Sequence, residues 1–181
     1  MFIPAHVGLT LGAIVSLKWL FPHRFARWSV TFWPLCLAAL LPDIVDKFLA
    51  LIVLKGYHTS RLFAHTLLFS GLAILFAYLW RRDWIPYAWI MLGHHYLDSN
   101  WSHPTTMFFP LLGFQFDRGL PTHDSIGYFY ALWLKYVYGP EWFVPEVIGT
   151  AVLVVYFYGR TRFHHILDGP LEGKSGRQAE K

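Results

Sequence analysis

The feature that most limits what this chain can become is a run of long apolar segments. Residues 3–21, 29–54, 62–80, 84–101 and 143–159 are each close to the length of a helix that crosses a bilayer. A hydrocarbon core needs about 20 apolar residues per helix, and lipid tolerates only helices or closed barrels, because every backbone amide must find a partner inside the protein. Composition agrees. Hydrophobic residues make up 55% of the 181 residues, aromatics 19% and charged residues 14%. Soluble domains carry about 25% charged residues. The mean hydropathy is +0.38. The expected fold is therefore all-α, a polytopic transmembrane helix bundle of four to six spans, with five preferred.

Residues 125–138 leave two alternatives open, an interfacial or re-entrant helix and a sixth span. They are aromatic, short for a span and carry Lys135. Residues 102–124, rich in Pro, Gly and Thr, read as a loop. Residues 1–169 form one membrane-embedded helical domain in this reading, and 170–181 a polar, disordered tail. The first twenty residues lack a basic start and a small-residue cleavage site, so they read as a retained helix. The single cysteine, Cys36, excludes an intramolecular disulfide and a thiolate zinc cage.

The net charge of +4 comes from Lys and Arg in short loops and the tail. That pattern reads as topology and not as a nucleic-acid surface. Lys18, Arg24 and Arg27 follow the first segment, and Arg81 and Arg82 follow the third. By the positive-inside rule both loops are cytoplasmic. The N-terminus and the loops 55–61 and 102–124 then face the other side. Five spans put the basic tail (Arg160, Arg162, Lys174, Arg177, Lys181) in the cytoplasm, whereas six would not.

On this topology the buried polar residues converge. His6, Asp43, Asp46, His65, His94 and Asp98 come from four segments and fall in one leaflet, although only Lys and Arg set the orientation. His94 and Asp98 are one helical turn apart, and His95 points about 100° away from His94, to support the ligands from behind or to pack between helices. An aspartate at the centre of a membrane helix costs about 2.5–3.5 kcal/mol, so Asp43, Asp46 and Asp98 must face the interior and need a cation. Arg61 is taken as the only basic side chain close in sequence to them, and one guanidinium cannot neutralise three carboxylates. A divalent ion can. His and Asp together suit zinc most readily, with manganese and iron as alternatives.

The stretches "AHVGLTLG", "LLPDIVDK", "SRLFAHTLLFSG" and "GHHYLDSNW" occur in that order. In order and spacing they resemble the YdjM-like family of inner-membrane, metal-dependent hydrolases over about residues 5–113. The resemblance implies a location in a bacterial inner membrane and a site made of His6, Asp43, Asp46, His65, His94 and Asp98. Two departures stand out. The acidic pair is one residue wider here, in "DIVD", and Ser60 occupies the place of a family histidine, for which His58 is a possible substitute.

The expected roles follow. His6, His65, His94 and Asp98 hold the metal, and Asp43 binds the same ion or a second. Asp46 orients the attacking water or acts as base. Arg61 binds an anionic group of a small-molecule or lipid substrate such as an ester or phosphoester. The rival reading is a divalent-metal or proton transporter, or a non-catalytic metal-binding module, since intramembrane His and Asp also mark ion paths. Haem is disfavoured by the carboxylates. His103 and His123 read as surface residues. "FHHILDG" (residues 163–169) echoes the His/Asp spacing at His164 and Asp168 and reads as a helix end without metal.

Overall fold

The structure, a computed structural model, describes residues 2–25, 27–54, 61–117 and 125–159. Its elements are α1 (Ile3–Leu20), α2 (Pro22–Phe25), α3 (Phe32–Phe48), α4 (Leu67–Trp80), α5 (Ile85–Leu97), α6 (Pro104–Met107), α7 (Ser125–Tyr138) and α8 (Pro140–Tyr158). No strand occurs among the described residues, so the all-α expectation holds. His58, the possible substitute ligand, lies outside the described residues, as do His123, read as a surface residue, His164 and Asp168, read as a helix end without metal, and the tail.

Helix starts follow local chemistry. Prolines in the first turn open α1, α5, α6 and α8, where a missing amide costs nothing. Thr66 caps α4 by accepting the Phe69 amide at 3.0 Å. Glu146 of α8 caps α1 from the far end of the chain, accepting the amides of Phe2 and Ala5. This buried carboxylate meets the free N–H groups and the positive end of the α1 dipole.

The bundle packs α1 against α8 and α3, and α5 against α3 and α4. Leu11, Leu35, Ala39, Ile90 and Met91 belong to one buried apolar cluster. The α1–α8 contact is made through glycine. A Cβ on Gly8 would fall on the Gly149 carbonyl, and one on Gly149 would meet Ala5 Cα at 2.6 Å. Small residues that let backbones touch are what association in lipid requires, because tails offer no hydrophobic drive between helices.

Polarity runs from inside to outside in the reverse of a soluble domain. His6, Asp46, His65 and His94 are buried, while Leu68, Leu72, Leu75 and Leu79 of α4 are exposed. Of the described helices, α1 is by itself long and apolar enough to cross a membrane. The segments read from sequence as 62–80 and 84–101 are helical over only 14 and 13 residues. At 1.5 Å per residue these reach about 20 Å, short of a core of about 30 Å. The missing length is the irregular backbone of 61–66 and the turns after Leu97, and these stretches carry the site. The segment 125–138 forms a helix, α7.

Candidate metal centre

Asp43, His65 and Asp98 sit where regular structure is disturbed or ends, while His6 and His94 project from α1 and α5. Pro42 interrupts α3 one residue before Asp43 and removes the amide that would meet the Ala38 carbonyl. Beyond Lys47 the helix widens into a π-helical turn, Leu49–Val53. His65 ends a 3₁₀ turn, Phe63–His65, just ahead of α4. Asp98 is the residue at which α5 stops, and Ser99 follows with φ of 53°, turning the chain away.

Asp43, His65, His94 and Asp98 each offer one ligand atom, all within 4.8 Å of one another. His65 Nε2 lies 3.5 Å from Asp43 Oδ1 and 3.8 Å from Asp98 Oδ2. His94 Nε2 lies 3.3 Å from His65 Nε2. The tautomers follow from the partners on the other side of each ring. His65 Nδ1 is 2.7 Å from an Asp46 oxygen, and His94 Nδ1 is 2.9 Å from the Ala39 carbonyl. Carboxylate and carbonyl oxygens only accept, so both Nδ1 atoms carry protons. In the neutral rings both Nε2 atoms then present lone pairs to the same point as two carboxylates. Four acceptors facing one another in a buried place repel unless a cation joins them.

His6, from α1, stacks on His94 with ring centroids 4.4 Å apart. Its Nε2 approaches Asp98 Oδ1 at 3.5 Å and Asp43 Oδ2 at 3.8 Å. The ring is 1% exposed, yet neither nitrogen is hydrogen-bonded to a protein group. Buried polar atoms are almost always satisfied, so this pair fits a ligand that the protein does not itself supply. The donor set of imidazoles and carboxylates fits a divalent ion of the zinc type.

Asp46 sits differently from the other expected site residues. It is 0% exposed. It accepts the amides of Leu62 at 2.6 Å, Ala64 at 2.9 Å and His65 at 3.1 Å, together with His65 Nδ1–H. Its oxygens are occupied by backbone and ring, where the sequence reading put a water. Non-helical backbone at membrane depth survives only if its amides are satisfied within the protein, and Asp46 does this for 62–65.

Arg61 also has a place. It grips Asp98 through Nε and Nη2, at 3.3 and 2.9 Å from Oδ2, and reaches His103 Nε2 through Nη1 at 2.8 Å. His103, expected as a surface residue, is thus tied to the edge of the site. Lys47 was left out of the sequence reading. It pairs with Asp43 at 2.8 Å, one turn along α3, so Arg61 is not the sole cation near the carboxylates. The i,i+4 spacing was a sufficient signal. Asn100 was also missed. Buried, it donates to the His65 carbonyl at 2.6 Å. His95, read as a supporting or packing residue, is buried and bonds Ser70 Oγ at 2.7 Å.

A helical protein with His and Asp side chains buried inside, the leucines of α4 exposed outside and a His/Asp cluster beside breaks in its helices is a membrane protein with a candidate metal centre. The chain matches the family described as YdjM inner membrane protein over residues 1–166, and it belongs to that family. No curated protein and no solved structure matches it.

Proposed function

We propose that the protein is a membrane-embedded, metal-dependent hydrolase acting on an ester or phosphoester of a lipid-like substrate. One observation carries this reading, the two fixed Nε2 lone pairs of His65 and His94 aimed at the same point as Asp43 and Asp98. These four residues would hold one ion, and His6 would serve as a further ligand to it or to a second. When bound, a divalent ion supplies Lewis acidity and brings the pKa of water down to about 7.

The chain's own groups do the rest. Asp46 sets the ring orientation and tautomer of His65, as carboxylates behind metal-bound histidines do. Asp46 is therefore a positioning residue in this reading and not a base. Arg61 holds Asp98 in place and, at 21% exposed against 7% for Asp98, is the more accessible of the pair, so its guanidinium suits a phosphate or carboxylate of the substrate. A five-span topology places this centre in the outer leaflet, with the 81–83 loop in the cytoplasm. Among the described residues the candidate ligands gather at one point and not along a path, which favours a resident ion over transport.

The test is metal analysis of purified protein together with hydrolysis of p-nitrophenyl esters and bis(p-nitrophenyl) phosphate. Zinc, manganese or iron at one or more per chain, lost in His94→Ala along with turnover, is the expected result. Metal-free wild-type protein after growth in supplemented medium would end the reading. Metal retained with no turnover on either substrate class would leave the binding module in its place.

A further inference from the structure

The stretch "MFFPLLGFQF", residues 107–116, combines three properties that rarely occur together in a surface loop. First, it is apolar and outward-facing. Leu111 is 84% exposed, Leu112 58% and Phe114 82%, and no charged side chain occurs from Pro104 through Phe116.

Second, much of its backbone is satisfied internally. The amides of Met107, Phe108, Phe109, Leu111 and Gly113 all bond to carbonyls three or four residues back. Internal pairing of this kind leaves few backbone groups in need of water, which is what entry into the lipid interface demands.

Third, it is anchored at both ends beside the candidate metal centre. Asp117 accepts from the Thr105 hydroxyl and, at 3.4 Å, from the Thr106 amide, and its own amide donates to Thr106 Oγ1 at 3.0 Å. Phe109 and Phe116 pack on Phe63, with centroids 5.8 and 4.9 Å away. Phe63 lies between Arg61 and His65 in the segment that Asp46 holds.

We infer that residues 107–114 are a membrane-dipping loop, seated in the lipid interface of the leaflet that contains the site, with Leu111, Leu112 and Phe114 among the acyl chains. A rigid apolar tip of this kind binds in proportion to its buried apolar area. Its occupant is lipid and not a protein partner, because the chain already belongs to the inner membrane and the tip offers no charge for a partner to read. The consequence rests on the hydrolase reading: the substrate reaches Arg61 sideways out of the bilayer, past Phe63, and not from water.

The location can be measured without reference to metal or turnover. Leu112→Cys and, separately, Phe114→Cys in a Cys36→Ala background are labelled with a polarity-sensitive fluorophore. Each is placed in nanodiscs of phosphatidylcholine and phosphatidylglycerol containing nitroxide-labelled lipid, or titrated with aqueous iodide. Leu75→Cys on α4 serves as the lipid-facing reference and the glutathione adduct of the dye as the aqueous one. The expected result is nitroxide quenching approaching that at Leu75, with loss of most of the iodide quenching seen for the adduct. No nitroxide quenching at either position overturns the inference. Full iodide access in that case means a loop in water, and protection from both quenchers means a loop covered by protein. Metal content measured on the same samples separates failure of this inference from failure of the hydrolase reading.

Discussion

His65 and His94 face each other through Nε2 atoms 3.3 Å apart, each with its Nδ1 proton already given to an oxygen that can only accept. Such a contact between two lone pairs calls for a cation, a metal ion or a shared proton. The two possibilities differ in what a chelator does. With a metal, dialysis against a strong chelator should lower the thermal midpoint of the detergent-solubilised protein, and zinc should restore it, since a ligand bound only to the folded state stabilises it. A midpoint indifferent to both treatments would favour the proton.

The two copies of the His/Asp pattern should separate cleanly. Asp98→Asn keeps the size of the side chain but removes the charge that Arg61 and a bound ion share. It should lower metal content to near background with the protein still inserted. Asp168→Asn should leave metal content unchanged. The reverse outcome, by elemental analysis of both variants, would reassign the site.

Asp46→Ala leaves the amides of Leu62, Ala64 and His65 without their acceptor. Each buried donor left unsatisfied costs about 1–3 kcal/mol. The variant should be poorly expressed or markedly less stable in a thermal scan. Asp46→Asn retains an acceptor, so it should fold and bind metal about 10–100-fold more weakly, the usual penalty for losing a carboxylate behind a metal-bound histidine. Unchanged affinity in Asp46→Asn would mean that Asp46 serves the backbone alone.

Gly149→Val should disrupt α1–α8 packing more severely than Gly12→Ala. The new side chain on Gly149 would meet backbone atoms of Pro4 and Ala5, which cannot give way, whereas a Cβ on Gly12 meets Val152 methyls at 3.5 Å. A midpoint for Gly149→Val within error of wild type would show that the helices do not approach as described.

Topology can be read by labelling. Ser102→Cys should react with an impermeant maleimide from outside intact cells, and Arg82→Cys only after permeabilisation. The opposite pattern would move the centre to the cytoplasmic leaflet.

How much of this was legible without coordinates depends on the range of the physics involved. Hydropathy is local and additive along the chain, so the helical, membrane-type character is visible in residues 3–21 taken alone, whereas the break at 61–66, at the start of the apolar run 62–80, is not. Desolvation is equally local: an aspartate in an apolar run must turn inward whatever its partner, and this is enough to gather Asp43, His65, His94 and Asp98. Helical period adds the His94–Asp98 pair, and would have added Lys47 to Asp43.

Hydrogen-bond assignment is not local. Asp43 and Asp46 are chemically identical and three residues apart. One points at the cluster, while the other is filled by the amides of 62–65, a difference set by where the irregular 61–66 segment lies against α3. Nothing in the sequence around Glu146 says that it caps a helix 141 residues away. The tautomers of His65 and His94 depend on Asp46 and on the Ala39 carbonyl of α3. A residue's need for a partner could be read from its own chemistry and surroundings in the chain. Which partner it found was decided only by packing, because that choice depends on the approach of segments distant in sequence.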